Sequence, residues 1–346
     1  MRTWTVSDHY RAFRLLCASD GRWQTGWTFP MGPCFAKWGR LLSLFFMVAS
    51  IPTQARADVM CAIDMGSNSF RRIVASFENG RYVPHSIEAR TLGVGDDVAR
   101  NGRISDAKLE EIRGTLAAFR SACDKDGAAP IVAVGTAAFR VAPNGARAVE
   151  IAAQLGIAME IATERRESEL AYLAGALGRD GYAVIDNGSR SIELVSRPAG
   201  VLRYQVFNFG YRVAYEAFFA KADGAATAAA AFRSQLLQQA SMAPFMKGMK
   251  TLVGVEFGEM AAGLFPPAPL EGRVLTVAQL KQKLQEITAM SPAAFRELKT
   301  RKDIDRALPR LIAAATLTEA FGYAEILLTE RELGAGLIIE AGITAR

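Results

Sequence analysis

Two short stretches of this 346-residue chain share five of seven residues, IDMGSNS at 63–69 and IDNGSRS at 185–191. Each sets an aspartate, Asp64 or Asp186, at the end of an apolar run. A glycine (Gly66, Gly188), two serines (Ser67 and Ser69; Ser189 and Ser191) and one variable residue (Asn68, Arg190) follow. These residue types can build a phosphate clamp. Glycine lets the backbone take φ > 0 and approach a ligand closely, and successive N–H groups with nearby hydroxyls converge on an anion. The aspartate repels a bare phosphate, so the pattern calls for a divalent cation between them, with magnesium expected. A single copy favours an ordinary hairpin turn, because Gly, Ser, Asn and Asp populate turns. Two copies, each opening a similar run of strands, favour the clamp.

The elements that must position these turns repeat as well. Residues 59–65, 71–77 and 81–90 predict three strands joined by short turns. An amphipathic helix follows from about Ser105, with Leu109, Ile112, Leu116 and Phe119 on one face. A buried strand at 131–136, a helix at 146–155, a strand at 158–162 and a helix at 164–177 complete the first half. The second half restarts with strands at 181–187, 191–197 and 201–207. Helices at 211–220 and 225–241 lead to a strand at 251–255, a proline-rich loop at 263–272, helices at 276–289 and 304–322, a strand at 324–329 and a last helix. Each half thus predicts β-β-β-α-β-α. The fold class is α/β, as two similar domains facing each other across a cleft. The boundaries are 58–180 for domain I and 181–346 for domain II.

Residues 1–57 read as a leader. Lys37 and Arg40 precede the apolar run 41–51, and Pro52 and Ala55-Arg56-Ala57 follow it. That is the order of a basic region, a short apolar core and a small-x-small cleavage site. The run is shorter than the roughly 20 residues a membrane span needs. The expectation is a cleaved signal peptide, with Met31 as the true start, Asp58 as the mature N-terminus and a periplasmic or secreted protein with no stable membrane span. An unprocessed leader would return the protein to the cytoplasm.

The leader also accounts for the charge of +6. Seven of the 41 Lys and Arg and only two of the 35 Asp and Glu lie in 1–57, so the body is nearly neutral and gives no basis for a nucleic-acid partner. Past residue 57 the chain has one histidine, His85, which disfavours serine–histidine catalysis and histidine-ligated zinc. Catalysis must rest on carboxylates, arginines, backbone amides and a bound ion. Cys61 and Cys123 remain after the leader; an oxidising compartment permits a bond between them, and two buried free thiols are an equal reading, because spacing alone does not bring them together.

The stretches AIDMGSNSFRRIVA (62–75), VGTAAFRVAPNG (134–145), ERRESELAYLAG (164–175) and VIDNGSRSIELV (184–195) resemble the exopolyphosphatase and guanosine pentaphosphate phosphatase family. That family lies within the superfamily of actin, sugar kinases and heat-shock chaperones. The resemblance covers about 58–345, is strongest in the first half, and corresponds to the short two-domain form. It implies two duplicated ribonuclease H-like, actin-like ATPase domains flanking a cleft. It implies that Glu167 activates the attacking water and Arg140 grips substrate phosphate. Asp64, Asp186 and Glu193 become metal-side carboxylates, and residues 66–69 and 188–191 phosphate-binding turns. The residues alone also allow Glu167 as a dipole-favoured acid of a first helical turn, Arg140 as a solvated arginine and Glu193 as an outward strand residue.

The second half departs from the family pattern. Arg190 interrupts a run of glycines, where it either blocks backbone approach or supplies a charged donor. VGVEFGEMAAG (253–263) replaces a serine-glycine-threonine turn and sets Glu256 near the anion site. ERELGAG (330–336) lacks the arginine of a leucine-arginine-glutamate-glycine signature, and TLGVGDDV (91–98) keeps its glycine turn without the usual arginine. Two functions stand. The first is a magnesium-dependent phosphohydrolase acting on inorganic polyphosphate or a similar phosphoanhydride. The second is a catalytically impaired descendant that binds polyphosphate or nucleotide, or an interaction protein. A homodimer is left open.

Overall fold

The computed structural model describes residues 59–345. The leader, its cleavage site and the Met31 start lie outside the described residues.

Three strands open the first half, β1 (Met60–Met65), β2 (Ser69–Glu78) and β3 (Arg81–Thr91). Helices α1 (Val94–Asn101) and α2 (Asp106–Lys125) follow, then β4 (Ile131–Gly135), α3 (Ala137–Val141), α4 (Ala146–Gln154), β5 (Ala158–Ile161) and α5 (Glu164–Ala176). The second half opens with β6 (Tyr182–Asn187), β7 (Ile192–Ser196) and β8 (Arg203–Phe207). Next come α6 (Tyr211–Ala214), a π-helical turn (Tyr215–Phe219), α7 (Ala225–Ser241), β9 (Thr251–Val255) and α8 (Gly258–Leu264). The chain ends with β10 (Val274–Thr276), α9 (Val277–Thr288), α10 (Pro292–Leu298), α11 (Ile304–Ala320), β11 (Glu325–Leu328) and α12 (Leu333–Thr344).

Sheet order demonstrates the duplication. The first sheet runs β3-β2-β1-β4-β5, and the second runs β8-β7-β6-β9-β11 with β10 added at its edge. In both, the opening strand pairs antiparallel with the next and parallel with the strand that follows the first helices. β1 and β6 are central and almost wholly buried, which is why each reads as an unbroken apolar run ending in Asp.

The helices α5 and α12 lie between the sheets. α5 follows the first sheet but packs on β6, β7 and β9, while α12 follows the second sheet but packs on β1, β2 and β4. Tyr172 and Ala176 of α5 join Val184 and Val195 in one core; Leu333, Leu337 and Ile338 of α12 join Ala62 and Ile73 in another. This exchange brings the N-terminal ends of both helices to the cleft. Thr163 caps α5 by accepting from Arg166 N at 3.2 Å.

Sequence periodicity missed α1, α3, α8, α10 and β10. α1 begins directly after Gly93, whose φ of 63° turns a glycine-rich loop into a helix start. α8 takes the first part of the expected loop 263–272, and β10 lies just beyond that loop. Cys61 and Cys123, both fully buried, are joined in a disulfide with Cα atoms 6.0 Å apart, which decides between the two readings. Among the described residues no helix is long and apolar enough to cross a membrane.

The crossing of α5 and α12 depends on Gly336, where a Cβ would stand 2.4 Å from the Leu170 carbonyl oxygen. Backbone cannot yield as a side chain tip can. Gly336→Ala is expected to cost about 3 kcal/mol, the upper end of ordinary overpacking. A denaturant midpoint equal to that of the parent would show that the helices separate freely.

Candidate active site

β1 and β6 deliver Asp64 and Asp186, the next-to-last residue of each, to one cavity of about 140 Å³. Both doubled turns, 66–69 and 188–191, line it with Asp64, Glu167, Asp186 and Glu193. The turns are built alike. Gly66 N donates to Ser69 O at 3.0 Å, and the segment after β3 holds the carbonyls: Leu92 N and Gly93 N donate to Asn68 O at 2.9 Å, and Gly95 N to Ser67 O at 2.7 Å. In the second half Tyr211 N, Arg212 N and Gly210 N donate to the carbonyls of Gly188, Ser189 and Arg190 at 2.9, 3.1 and 3.0 Å. A Cβ on Gly210 would lie 2.5 Å from three backbone atoms of that turn.

The expected φ > 0 at Gly66 and Gly188 is not found; neither is left-handed. Gly66 is needed for space instead, since a Cβ there would meet Ser69 O at 3.0 Å. The Asn68 side chain is also committed away from a ligand. Its Nδ2 donates to Tyr211 Oη at 3.3 Å and its Oδ1 accepts from Arg212 Nη1 at 3.0 Å, so it ties the two halves together. Asp96 adds to this strap by accepting from Arg212 Nη2 at 2.7 Å. Ser67 Oγ accepts from Ala138 N at 3.2 Å. Arg190 reaches across toward Gly95, where a Cβ would stand 2.9 Å from its Nη1, and its side chain makes no ion pair among the described residues.

The carboxylates converge. Glu167 in the first turn of α5 is 6% exposed, and its Oε2 accepts from Arg140 Nη1 at 2.9 Å. The same Nη1 donates to Ala162 O at 2.8 Å, so Arg140 grips Glu167 and the backbone rather than standing solvated. Glu193 is 2% exposed and faces the cavity, not solvent. Asp64 Oδ1, Asp186 Oδ1 and Glu193 Oε1 are buried without a hydrogen-bond partner. Burial, then Glu256, pushes Asp64 up to about 8, against the pull of Arg71. Asp186 is raised by burial, Glu256 and Glu193; Glu193 by burial and Glu167. Burial also raises Glu167, although Arg140 pulls it down. Three orphaned buried oxygens among mutually repelling acids fit a hard divalent cation.

Several cavity residues carried little signal in the sequence. Arg71 stands opposite Asp64 in the β1–β2 register, as Glu193 stands opposite Asp186 in β6–β7. The shared seven-residue spacing is the clue that could have found it. Arg71 pairs with Glu332, the residue before α12. Arg310, 2% exposed in the otherwise apolar face of α11, donates to Glu259 Oε2 at 2.7 Å, Glu256 Oε2 at 3.2 Å and Asn187 O at 3.1 Å. Its guanidinium lies 4.2 Å from the Tyr211 ring centroid. Glu256, directly after β9, takes φ = 62°, the left-handed region that favours glycine.

The folded protein holds the Asp64 proton more tightly than an unfolded chain whose Asp titrates near 3.8. That contribution to stability is full below about pH 4 and is lost as pH rises through about 8. In metal-free protein the denaturation midpoint is therefore expected to fall between about pH 5 and 8, and a divalent cation to restore it at the upper end. A midpoint that rises over that range, or ignores the cation, would contradict this. Glu256→Gly relieves the left-handed backbone and removes one acid while Arg310 keeps Glu259. It is expected to stabilise the metal-free protein by about 1 kcal/mol, read as a rise in the same midpoint; an unchanged or lowered one would contradict it.

Comparison with known proteins places this geometry. The crystal structure of the Aquifex aeolicus member of the Ppx/GppA protein family superposes with a TM-score of 0.70 at 23% identity, covering 83% of this chain and 98% of that one. A second structural study of the Aquifex aeolicus PPX-GPPA enzyme gives 0.67 at 25% identity, covering 81% and 98%. An exopolyphosphatase from Cytophaga hutchinsonii gives 0.66 at 18% identity, covering 82% and 98%. Identities this low speak for the fold alone, two α/β halves of like sheet order. An uncharacterized protein of Streptomyces coelicolor is 29% identical over 137 residues, 38% of this chain; the match spans only 41% of that relative's length. The model of the Ppx/GppA phosphatase family matches residues 73–325, from β2 to the first residue of β11. With that span covering more than half of the chain and reaching into both sheets, the chain belongs to the Ppx/GppA phosphatase family.

Proposed function

We propose that this protein is an exported exopolyphosphatase-like phosphohydrolase that removes terminal phosphate from inorganic polyphosphate or a related phosphoanhydride. One observation carries the reading: Glu167, buried and held by Arg140, opens into the cavity shared by Asp64 and Asp186. Residues 58–180 and 181–346 act in this reading as two domains flanking the substrate. Asp186 and Glu193, with Asp64, would hold magnesium or another divalent cation, which when bound neutralises phosphate oxygens.

The chain's own groups supply the rest. Glu167 accepts the proton of the attacking water at Oε1, the oxygen that Arg140 leaves free. Water oxygen bonds to the terminal phosphorus, the P–O bond to the bridging oxygen breaks, and that oxygen leaves with the electron pair on the shortened chain. Arg140 offsets part of the burial that raises Glu167 and aims its carboxylate, so in this reading it acts as a positioning residue rather than the expected phosphate grip. The unpaired Arg190 takes the phosphate-gripping role, as a charged donor rather than a block. Such catalysis is mostly positioning and electrostatic stabilisation.

The second reading is a catalytically impaired family member that binds polyphosphate or nucleotide or acts as an interaction protein. It rests on the commitment of Arg71 and Arg310 to carboxylates, which leaves fewer cations to stabilise a phosphoryl group in transfer. Phosphate release from polyphosphate with magnesium separates the two. Turnover is expected in the parent, with a loss of about 10²–10⁴-fold in Glu167→Gln. Equal background rates in both, with polyphosphate still bound, would leave the binder. The buried Cys61–Cys123 disulfide supports an oxidising compartment. N-terminal sequencing of the natural protein is expected to begin at Asp58, and a chain retaining 31–57 would end the export reading.

A further inference from the structure

Seven acids line the cavity against four arginines, and Arg140 offsets Glu167 from beyond the lining. A polyanion entering it without a cation would meet net negative charge.

Three of those acids gather apart from Asp186 and Glu193. Asp64 at the end of β1, Glu256 after β9 and Glu332 before α12 each place one carboxylate oxygen within 4.8 Å of the other two. Asp64 is 6% exposed, lines the cavity, and its Oδ1 has no hydrogen-bond partner. Each glutamate spends one oxygen on an arginine, Glu256 Oε2 on Arg310 and Glu332 Oε1 on Arg71, and keeps the other for a ligand. Arg310 is also held by Glu259 at 2.7 Å, which shares itself with Arg306 at 3.3 Å. All donors are oxygen, the set preferred by magnesium, calcium and manganese rather than zinc.

We infer that Asp64, Glu256 and Glu332 form a second divalent-cation seat, which shares Asp64 with the one at Asp186 and Glu193. The inference deepens the phosphohydrolase reading and rests on it for its role: two cations together convert an acid-lined cavity into one that accepts a polyanion, sharing charge between the attacked and departing oxygens. The seat also joins residues from both halves, so its occupancy would hold the cleft in this closed arrangement.

Manganese is the probe, counted by electron paramagnetic resonance of the free ion during titration of the full chain. Two Mn²⁺ per chain are expected. Glu256→Gln and Glu332→Gln, each checked for folding by circular dichroism, are each expected to leave one, and Asp186→Asn to leave the other. A parent that binds one ion, or two ions whose number neither glutamine variant changes, would overturn the second seat. Two ions lost in this pattern without polyphosphate hydrolysis would uphold the seat while removing the hydrolase reading. Hydrolysis with a single ion would do the reverse.

Discussion

The structure turns on mutual repulsion among buried carboxylates. Asp64, Glu167, Asp186, Glu193 and Glu256 are each raised above the ordinary carboxylate range, with burial the leading cause in all five and a neighbouring acid of the group the next for Asp64, Asp186 and Glu193. A core assembled for stability alone would not gather them, since unpaired buried charge is costly. The fold tolerates the cluster because arginines approach from its margins, Arg140 on Glu167, Arg71 on Glu332 and Arg310 on Glu256. The centre keeps orphaned oxygens. Cation demand is thus a property of the packing, present before any substrate enters.

What brings the acids together is backbone, not side-chain choice. Two central strands end in aspartate, and the segments following β3 and β8 hold the turn carbonyls through main-chain N–H groups. The exchanged helices α5 and α12 then point their first turns inward, supplying Glu167 and Glu332. The left-handed φ at Glu256 fits the same pattern: local strain is kept where a side chain has a use, and its cost is borne by the surrounding fold. The Asn68 strap to Tyr211 and Arg212 shows a different economy. A residue placed for ligand contact closes the cleft instead.

Much of this was legible because it is carried by periodicity and repetition. The apolar runs ending in Asp64 and Asp186 declared both central strands, and their repetition declared the duplication. Asp186 was legible in the repeated turn, and Glu193 only through the family resemblance. Arg71 was not, although the same spacing holds it, because an arginine beside another arginine reads as a solvated pair. Short helices such as α3 and α8 escaped because they are too brief for a 3.6-residue period to show. Glu332 and Arg310 reach the cavity only through tertiary packing of α12 and α11, which no local pattern encodes. The disulfide between Cys61 and Cys123 depends on β1 and α2 meeting, a contact that separation in sequence conceals.

The two halves, alike in topology, have diverged in charge at one register position. Opposite Asp64 the second strand places Arg71; opposite Asp186 it places Glu193. The first hairpin therefore offsets its aspartate with a cation of its own, and the second doubles the negative charge. This asymmetry gives the cleft a direction. A cation is drawn most strongly to the Asp186–Glu193 side, while Arg71 and the unpaired Arg190 leave positive charge at the turns. In the proposed function the repeated turns flank a chain of phosphates, and the unequal charge between them would make one end of that chain the end that reacts.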